Sequence, residues 1–470
     1  MPNDASPVLR SFRLVGLHKY KTIRLDFESQ AKIVIAENGA GKTIFLSALD
    51  AFLKTNFGKL ADLDFERIEC ELAGASGPLV LYRTQLPTIP EEIETGVNEL
   101  AHYANVRPTE VQDLILDYKG ADIREIPILN RAYMNSPWSI PEIQERVNVI
   151  HSALSRTRSP EIKELVSSIK DALGHTDVLY LPTYRRIELA IQKRHSRRLS
   201  ATIPRPRSAQ GLWESFETTM GINYGLADVE ARLLQLTELI QRRSNRGYRE
   251  ISAAIIDDLL GGRFPSGDWQ SESLPTIDSL RLFFSRIEQS ANDAEQRLDI
   301  INQLYRSGEI GEQSHQPLRY FLARLSKVVN QTKELESDIE NFVNKANEYL
   351  SMSGDRKKLR YEPTQMKVKV LNEWTGKDIQ FDDLSSGEKQ VISLFAHLYL
   401  SRTKKIVLID EPELSLSIDW QKRLLPDVIH SPTCRQLLAI THSPFVFDNE
   451  LDAYASPFNV TRDISGKMSN

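Results

Sequence analysis

Residues 32–53 read KIVIAENGAGKTIFLSALDAFL. The near-continuous apolar run KIVIA ends in a glycine-rich turn. After it, Ile44, Leu46, Ala48, Leu49, Phe52 and Leu53 recur at helical spacing. Buried strand, glycine turn and helix, in that order, are what the phosphate-cradling loop G-x-x-x-x-G-K-[ST] requires. Successive backbone N–H groups there converge on an anion at the helix N-terminus. Asn38, Gly39, Ala40, Gly41, Lys42 and Thr43 line such a loop, with Lys42 placed for the β- and γ-phosphates of ATP and the Thr43 hydroxyl for Mg²⁺. The first glycine of the pattern is Ala36, which fits if its φ is negative. A loop of this kind commits the chain to an α/β fold, and it needs a carboxylate from elsewhere to complete the magnesium site.

That carboxylate stands far downstream. KKIVLIDEPELSL is an apolar strand ending in Asp410 and Glu411. Asp410 is placed to hold Mg²⁺ through water, and Glu411 to polarise the attacking water as general base. The bland alternative is a strand running into a capped Asp-Glu-Pro turn. Two further segments accompany it. In DDLSSGEKQVISLFAHLYL, Ser385, Ser386, Gly387 and Glu388 precede an apolar helix, and serines with a glycine at a helix start form an anion site. In LLAITHSPFVF, His442 ends the next strand; in a parallel sheet its carboxyl end lies beside that of the Asp410 strand.

Strand patterns occupy both ends of the chain. VLRSFRLVGL, TIRLDF and KIVIA come first, then the pair FERIECEL and PLVLYRTQL. KLRYE, MKVKVL, DIQFDDL, KIVLID and QLLAIT come last, and DVLYLPTYRRIEL supplies a strand that ends at Pro182. Between the ends the pattern is mostly helical, broken by Pro108, Pro127, Pro137, Pro141 and Pro160. Two apolar stripes, Leu280 to Leu304 and Leu318 to Leu350, read as a helical hairpin over 279–350, the second interrupted at Thr332. The expected layout is therefore 1–87 as the N-terminal part of the head, 88–354 as a helical insertion and 355–470 as the C-terminal part.

The order AENGAGKT, LSSGEKQ, VLIDEPE, THSP resembles the ABC-type ATPase head in its SMC-like, AAA ABC-subclass form. The resemblance covers the two ends and leaves the middle uncovered. It implies a head whose sheet is built from N- and C-terminal segments, with a large, mainly helical insertion. It further implies that two heads close around two ATP molecules. Ser385 and Gly387 of one head then cap the γ-phosphate held by the other, Glu411 is the base and His442 touches the γ-phosphate. The glutamine that such heads use to link Mg²⁺ to the inserted lobe has Gln85 as its candidate. The family commonly carries Asp or His seven residues after the strand-end aspartate; Ser417 stands there instead.

VLYLPTYRRIEL, DLSSGEKQVISLFAHLYLS and LIDEPELSLSIDWQ are similar to segments of stand-alone ATPases of bacterial anti-phage systems. These are the ATPase subunit of Septu systems and Septu-bearing retrons, with the PARIS ATPase as a near rival. The likeness implies a homodimer or higher homo-oligomer working with a separately encoded nuclease of the HNH type. Overcoming-lysogenisation-defect nucleases, which resemble this head, carry a nuclease domain after the histidine motif; none is expected here. A nucleotide-bound scaffold that sequesters its partner, and a DNA-repair head of the SMC type, are the alternatives.

Charge and cysteine usage set the remaining expectations. On a chain of net charge -5, residues 185–207 carry eight Lys or Arg against one Glu. Arg185, Arg186, Lys193, Arg194, Arg197 and Arg198 could meet nucleic-acid phosphates or an acidic partner, or form a solvated loop. The two cysteines, Cys70 and Cys434, form no zinc or disulfide pattern. No signal-peptide layout and no membrane-length apolar run stand in the sequence, so a cytoplasmic protein is expected.

Overall fold

A computed structural model describes residues 6–462, apart from 38, 62, 87–90, 105, 107, 117, 119, 121, 158–159, 183–225, 261–272, 288–290, 364 and 366. The basic stretch 185–207 and Asn38 lie outside the described residues. The chain divides into two units, Met1–Met220 with Thr403–Asn470, and Gly221–Arg402.

The first unit holds two sheets. One is antiparallel, in the order β13-β2-β1-β4-β5, with β1 at Leu9–Leu17, β2 at Lys21–Asp26, β4 at Arg67–Leu72, β5 at Leu79–Tyr82 and β13 at Asn459–Arg462. The other is parallel throughout, in the order β12-β3-β11-β10-β6. Its strands are β3 at Ala31–Ile35, β6 at Asp177–Leu181, β10 at Lys405–Asp410, β11 at Cys434–Thr441 and β12 at Ala455–Pro457. The central strands of this second sheet are covered on both faces. That is why KIVLID is buried at every position and reads as an unbroken apolar run rather than an alternating one.

The helix Lys42–Leu53 packs on both sheets. Phe12 of β1 meets Phe45 and Phe52 of this helix edge to face, with ring centroids 5.2 and 5.9 Å apart, within a core that also takes in Val34, Leu408 and Ile440. The two sheets are also joined by a polar tie. Buried Gln436 of β11 accepts from the Leu9 N–H and donates to the Leu9 carbonyl, each at 2.8 Å, so its amide completes a strand edge that water cannot reach. A helical group with its own core, built on Leu100, Val111, Leu129 and Val147, belongs to the same unit. The prolines read as breaks act as helix starts: Pro108, Pro127 and Pro160 are each the first residue of a helix, where a missing N–H costs nothing.

The second unit contains helices Leu226–Leu260, Ile277–Ile287, Ala291–Ser307 and Gln316–Leu350, a three-stranded antiparallel sheet of β7 at Lys357–Glu362, β8 at Lys367–Asn372 and β9 at Lys377–Ile379, and helix Ser386–Tyr399. The first arm of the expected hairpin is two helices rather than one. Leu280, Phe284 and Leu298 from it share a core with Leu322, Leu325 and Val329 of the second arm. Thr332 is buried inside the second stripe, and its hydroxyl bonds back to the Val328 and Val329 carbonyls, so the polar atom is satisfied within its own helix. DIQFDDL is a strand only over Lys377–Ile379; the Asp383 carboxylate then takes the Gln380 N–H at 3.0 Å and bends the chain into a short turn.

Helix Leu226–Leu260 runs against the long helix Gln316–Leu350, and Gly247 of the first packs on Val328 of the second. A Cβ at Gly247 would stand 2.6 Å from both Cγ atoms of Val328. Gly247→Ala is therefore expected to destabilise this unit by about 1–3 kcal/mol, the overpacking strain outweighing the helix propensity that alanine adds. Urea unfolding checks it, and an unchanged or raised midpoint would contradict the close crossing.

Candidate nucleotide site

The loop between β3 and helix Lys42–Leu53 has the backbone that a phosphate cradle needs. Gly39 and Gly41 sit at φ 77° and 97°, left-handed values that other residues avoid. Ala36 keeps a negative φ, so the missing first glycine leaves the turn geometry intact. A buried lysine supports the loop from outside: the Lys21 ammonium at the start of β2 donates to the Ala40 carbonyl. Burial, and then the neighbouring Arg462 charge, hold the pKa of Lys21 below the usual lysine value.

Strand order decides what meets this loop. β11 lies between β3 and β10, so the ends of the P-loop strand, the histidine strand and the acidic strand line up along one edge. The Thr43 hydroxyl donates to Asp410 Oδ2 at 2.7 Å, and Lys42 Nζ donates to Glu411 Oε1 at 2.9 Å. Lys42 Nζ also contacts His442 Nε2, and His442 Nε2 is 3.7 Å from Glu411 Oε1. Glu411 has φ 51°, an uncommon conformation for a residue with a Cβ, and its N–H remains in the sheet ladder on the Ile440 carbonyl at 2.8 Å. Five of the residues singled out in the sequence, Lys42, Thr43, Asp410, Glu411 and His442, are thus brought together.

The donor set fits magnesium carried by a nucleotide. Asp410 and Thr43 offer hard oxygens side by side. Among the described residues no group of three or more His, Cys, Asp or Glu could hold a metal by itself. Mg²⁺ characteristically takes one or two carboxylates and completes its shell with phosphate and water. Thr43 and Asp410 would hold it here.

Other residues occupy different places. Gln85 caps a short turn, its side-chain carbonyl accepting from the Tyr82 N–H at 2.9 Å. Ser417 is the N-cap of helix Ile418–Ile429, its hydroxyl accepting from the Trp420 N–H at 3.4 Å, which gives this position a structural use. Glu413 was not singled out in the sequence. One of its oxygens accepts from the His442 N–H and the other from the Thr441 hydroxyl, both at 2.8 Å. The signal available was a third acid in DEPE, one that the motif itself leaves unassigned.

In the second unit, Ser385 is the N-cap of helix Ser386–Tyr399 and forms a reciprocal capping box with Glu388. The Glu388 carboxylate accepts from the Ser385 N–H at 2.7 Å, the Ser353 hydroxyl at 3.0 Å and the Lys357 ammonium at 3.0 Å. Burial pushes its pKa up, but the Ser385, Lys357 and Ser353 donors outweigh burial and hold it below the usual value. Glu388 is engaged inside its own unit, where it shapes the turn that presents Ser385, Ser386 and Gly387.

Residues 261–448 match the family model described as "AAA domain, putative AbiEii toxin, Type IV TA system". The match spans Ser385, Asp410, Glu411 and His442 and begins after the P-loop. At the level of this domain the chain is similar to AAA-type ATPases. No curated protein matches the chain. Among solved structures, the chain is similar to the Smc head domain with an extended coiled coil bound to the C-terminal domain of ScpA, from Pyrococcus furiosus. Identity is 12%, coverage is 97% of this chain and 96% of that one, and the TM-score is 0.34. Among the described residues no helix is long and apolar enough to cross a membrane.

Proposed function

We propose that this chain is a Mg²⁺-dependent ATPase that dimerises around ATP and controls a separately encoded effector nuclease in bacterial anti-phage defence. One observation carries the ATPase reading. Thr43 bonds Asp410 across 367 positions of sequence, and Lys42 bonds Glu411 across 369. A helix N-terminus with two left-handed glycines, a lysine, a hydroxyl, a buried aspartate and a strand-end glutamate is a complete set for phosphoryl transfer to water. Asn38 to Lys42 bind the phosphates, Thr43 and Asp410 hold the metal, and Glu411 takes the proton of the attacking water. His442 touches the γ-phosphate, and Ser385, Ser386 and Gly387 cap the ATP of a second copy. Bound Mg²⁺ supplies charge neutralisation between the β- and γ-phosphates.

The effector and defence parts rest on the segments similar to Septu-type ATPases. The matched family's description names a putative AbiEii toxin of a Type IV TA system, which accords with a chain that works with a separately encoded partner. Cytoplasmic placement accords with two free cysteines. Gln85 and the basic residues from Arg185 to Arg198 stay as candidates for metal linkage and nucleic-acid contact.

The test is ATP turnover by purified protein against Lys42→Ala. Wild type should release phosphate in a Mg²⁺-dependent manner, and Lys42→Ala should lose about 10²-fold or more in kcat/KM, since phosphate binding and transition-state charge both depend on that ammonium. Equal turnover by both proteins, or none by wild type, would remove the ATPase reading.

A further inference from the structure

His442 stands on a turn rather than in a strand, and a contact residue on a turn works only if the turn is held. Three consecutive residues, Thr441 at the end of β11 and His442 and Ser443 in the turn, are tied to the chain that follows Asp410. The Thr441 hydroxyl and the His442 N–H both donate to the Glu413 carboxylate, each at 2.8 Å. The Ser443 hydroxyl donates to the Gln421 side-chain carbonyl at 2.7 Å, and the Gln421 amide donates to the Leu416 carbonyl at 3.0 Å. Thr441 closes the set by accepting from the Ser443 N–H at 3.0 Å.

On the other side of these ties, the chain from Glu411 to Ser415 is under backbone strain. Glu411 and Ser415 lie at φ 51° and 64°. Left-handed conformations of residues with a Cβ are unfavourable and persist only where the surroundings over-determine them. Glu413 lies between the two strained residues, and its carboxylate ties this segment to Thr441 and His442.

We propose that Glu413 is a positioning residue for ATP hydrolysis: it clamps the His442 turn to the turn bearing Glu411, so that both side chains face the same phosphate as one unit. The proposal rests on the ATPase reading and deepens it. Among the described residues the Glu413 carboxylate bonds Thr441 and His442 rather than the P-loop or the metal pair; it acts through His442 and Glu411. Its loss should therefore slow the chemical step and spare nucleotide binding, because misplacing a reacting group by about 1 Å costs on the order of 10²-fold in rate. Both Glu413 contacts are accepted bonds. A glutamine keeps one acceptor for the His442 N–H and can donate to the Thr441 oxygen instead, so it is the conservative variant.

The experiment measures single-turnover hydrolysis and Mg²⁺-ATP affinity in wild type, Glu413→Ala, Glu413→Gln, His442→Ala and the Glu413→Ala/His442→Ala double variant, with Lys42→Ala as the inactive reference. Glu413→Ala should hydrolyse about 10-fold to 10²-fold more slowly, with ATP affinity unchanged within about threefold. Glu413→Gln should recover most of the rate. The double variant should be less impaired than the product of the two single effects, because residues acting as a unit are non-additive. Full activity in Glu413→Ala, affinity lost in step with rate, or multiplying effects in the double variant would overturn the proposal. Should Glu413→Ala fail to fold, the isosteric Thr441→Val takes its place. It removes one of the two clamp bonds, together with the acceptor of the Ser443 N–H, and should lower the rate at unchanged affinity; a wild-type rate would count against the clamp. Wild type no faster than Lys42→Ala defeats the ATPase reading itself. An active wild type with an equally active Glu413→Ala defeats only the clamp.

Discussion

Glu411→Gln is expected to bind Mg²⁺-ATP and to hydrolyse it about 10²–10⁴-fold more slowly than wild type, the range that a positioned general base contributes. Glutamine has the shape of glutamate, so the left-handed turn at φ 51° and the ladder bond from its N–H to Ile440 stay as they are. The lost feature is the carboxylate that accepts a proton. Binding should not weaken, and the reason is specific to this site. Glu411 holds the Lys42 ammonium at 2.9 Å, and the γ-phosphate competes for that same ammonium. Removing the competing carboxylate leaves Lys42 to the phosphate. ATP should therefore persist on the variant, and sedimentation should show an ATP-dependent dimer that wild type forms only transiently. Rapid-quench hydrolysis with sedimentation checks both halves. A variant that turns over ATP at the wild-type rate would show that Glu411 is not the base.

Glu388→Ala has the largest expected effect on stability. Glu388 and Lys357 are 2% and 8% exposed, and they pair at 3.0 Å beneath the turn that carries Ser385. Truncating Glu388 takes away the buried partner of Lys357 and leaves its ammonium only the exposed Asp355 carboxylate at 3.5 Å and the Asp383 carbonyl at 3.4 Å, which costs up to about 3–5 kcal/mol. Losing both members costs less: Lys357→Met/Glu388→Gln should recover much of the loss, since no orphan charge remains. The pH dependence follows from the depressed pKa of Glu388. The pair's contribution is fully present above the ordinary carboxylate value of 4.5 and is lost as pH falls through the lower folded value. The difference between wild type and Glu388→Ala should therefore narrow on acidification. Urea unfolding of the Gly221–Arg402 unit at neutral and acid pH reads it. A small, pH-independent difference would mean that the pair is a bystander.

Those two sites were legible in the sequence to different degrees, for physical reasons. The P-loop, Asp410 and Glu411 announce themselves because each is a local pattern: an apolar run that must be a buried strand, ending in residues that a core would reject. The adjacency of Asp410 and Thr43 is not local. It follows from β11 lying between β3 and β10, a strand order that no single segment encodes. β6, at the edge of the parallel sheet, joins β10 from within the 88–354 stretch, and pairing of that range depends on tertiary contacts alone.

The buried lysines were half legible. Strand parity puts Lys21 on the inward side with Ile23 and Leu25, and Lys357 on the inward side with Leu359, and in both strands those positions are buried. A lysine at inward parity in a strand calls for a partner. The partners, the Ala40 carbonyl and Glu388, lie in loops or caps whose approach the pattern cannot give. Glu413 was hidden differently. Its acid reads as part of DEPE, while its function lies in bonds to Thr441 and His442 that exist only once β10 and β11 pair in register.

The central claim is that residues from opposite ends of the chain form one magnesium-nucleotide site, and locating a metal tests it most directly. Crystals grown with Mn²⁺ in place of Mg²⁺ and a non-hydrolysable ATP analogue give an anomalous peak wherever the metal binds. The expected peak lies against the Thr43 hydroxyl, with Asp410 as direct or water-bridged ligand and the Lys42 ammonium on the adjoining phosphates. Nucleotide bound with its metal away from Thr43 and Asp410 would contradict the site.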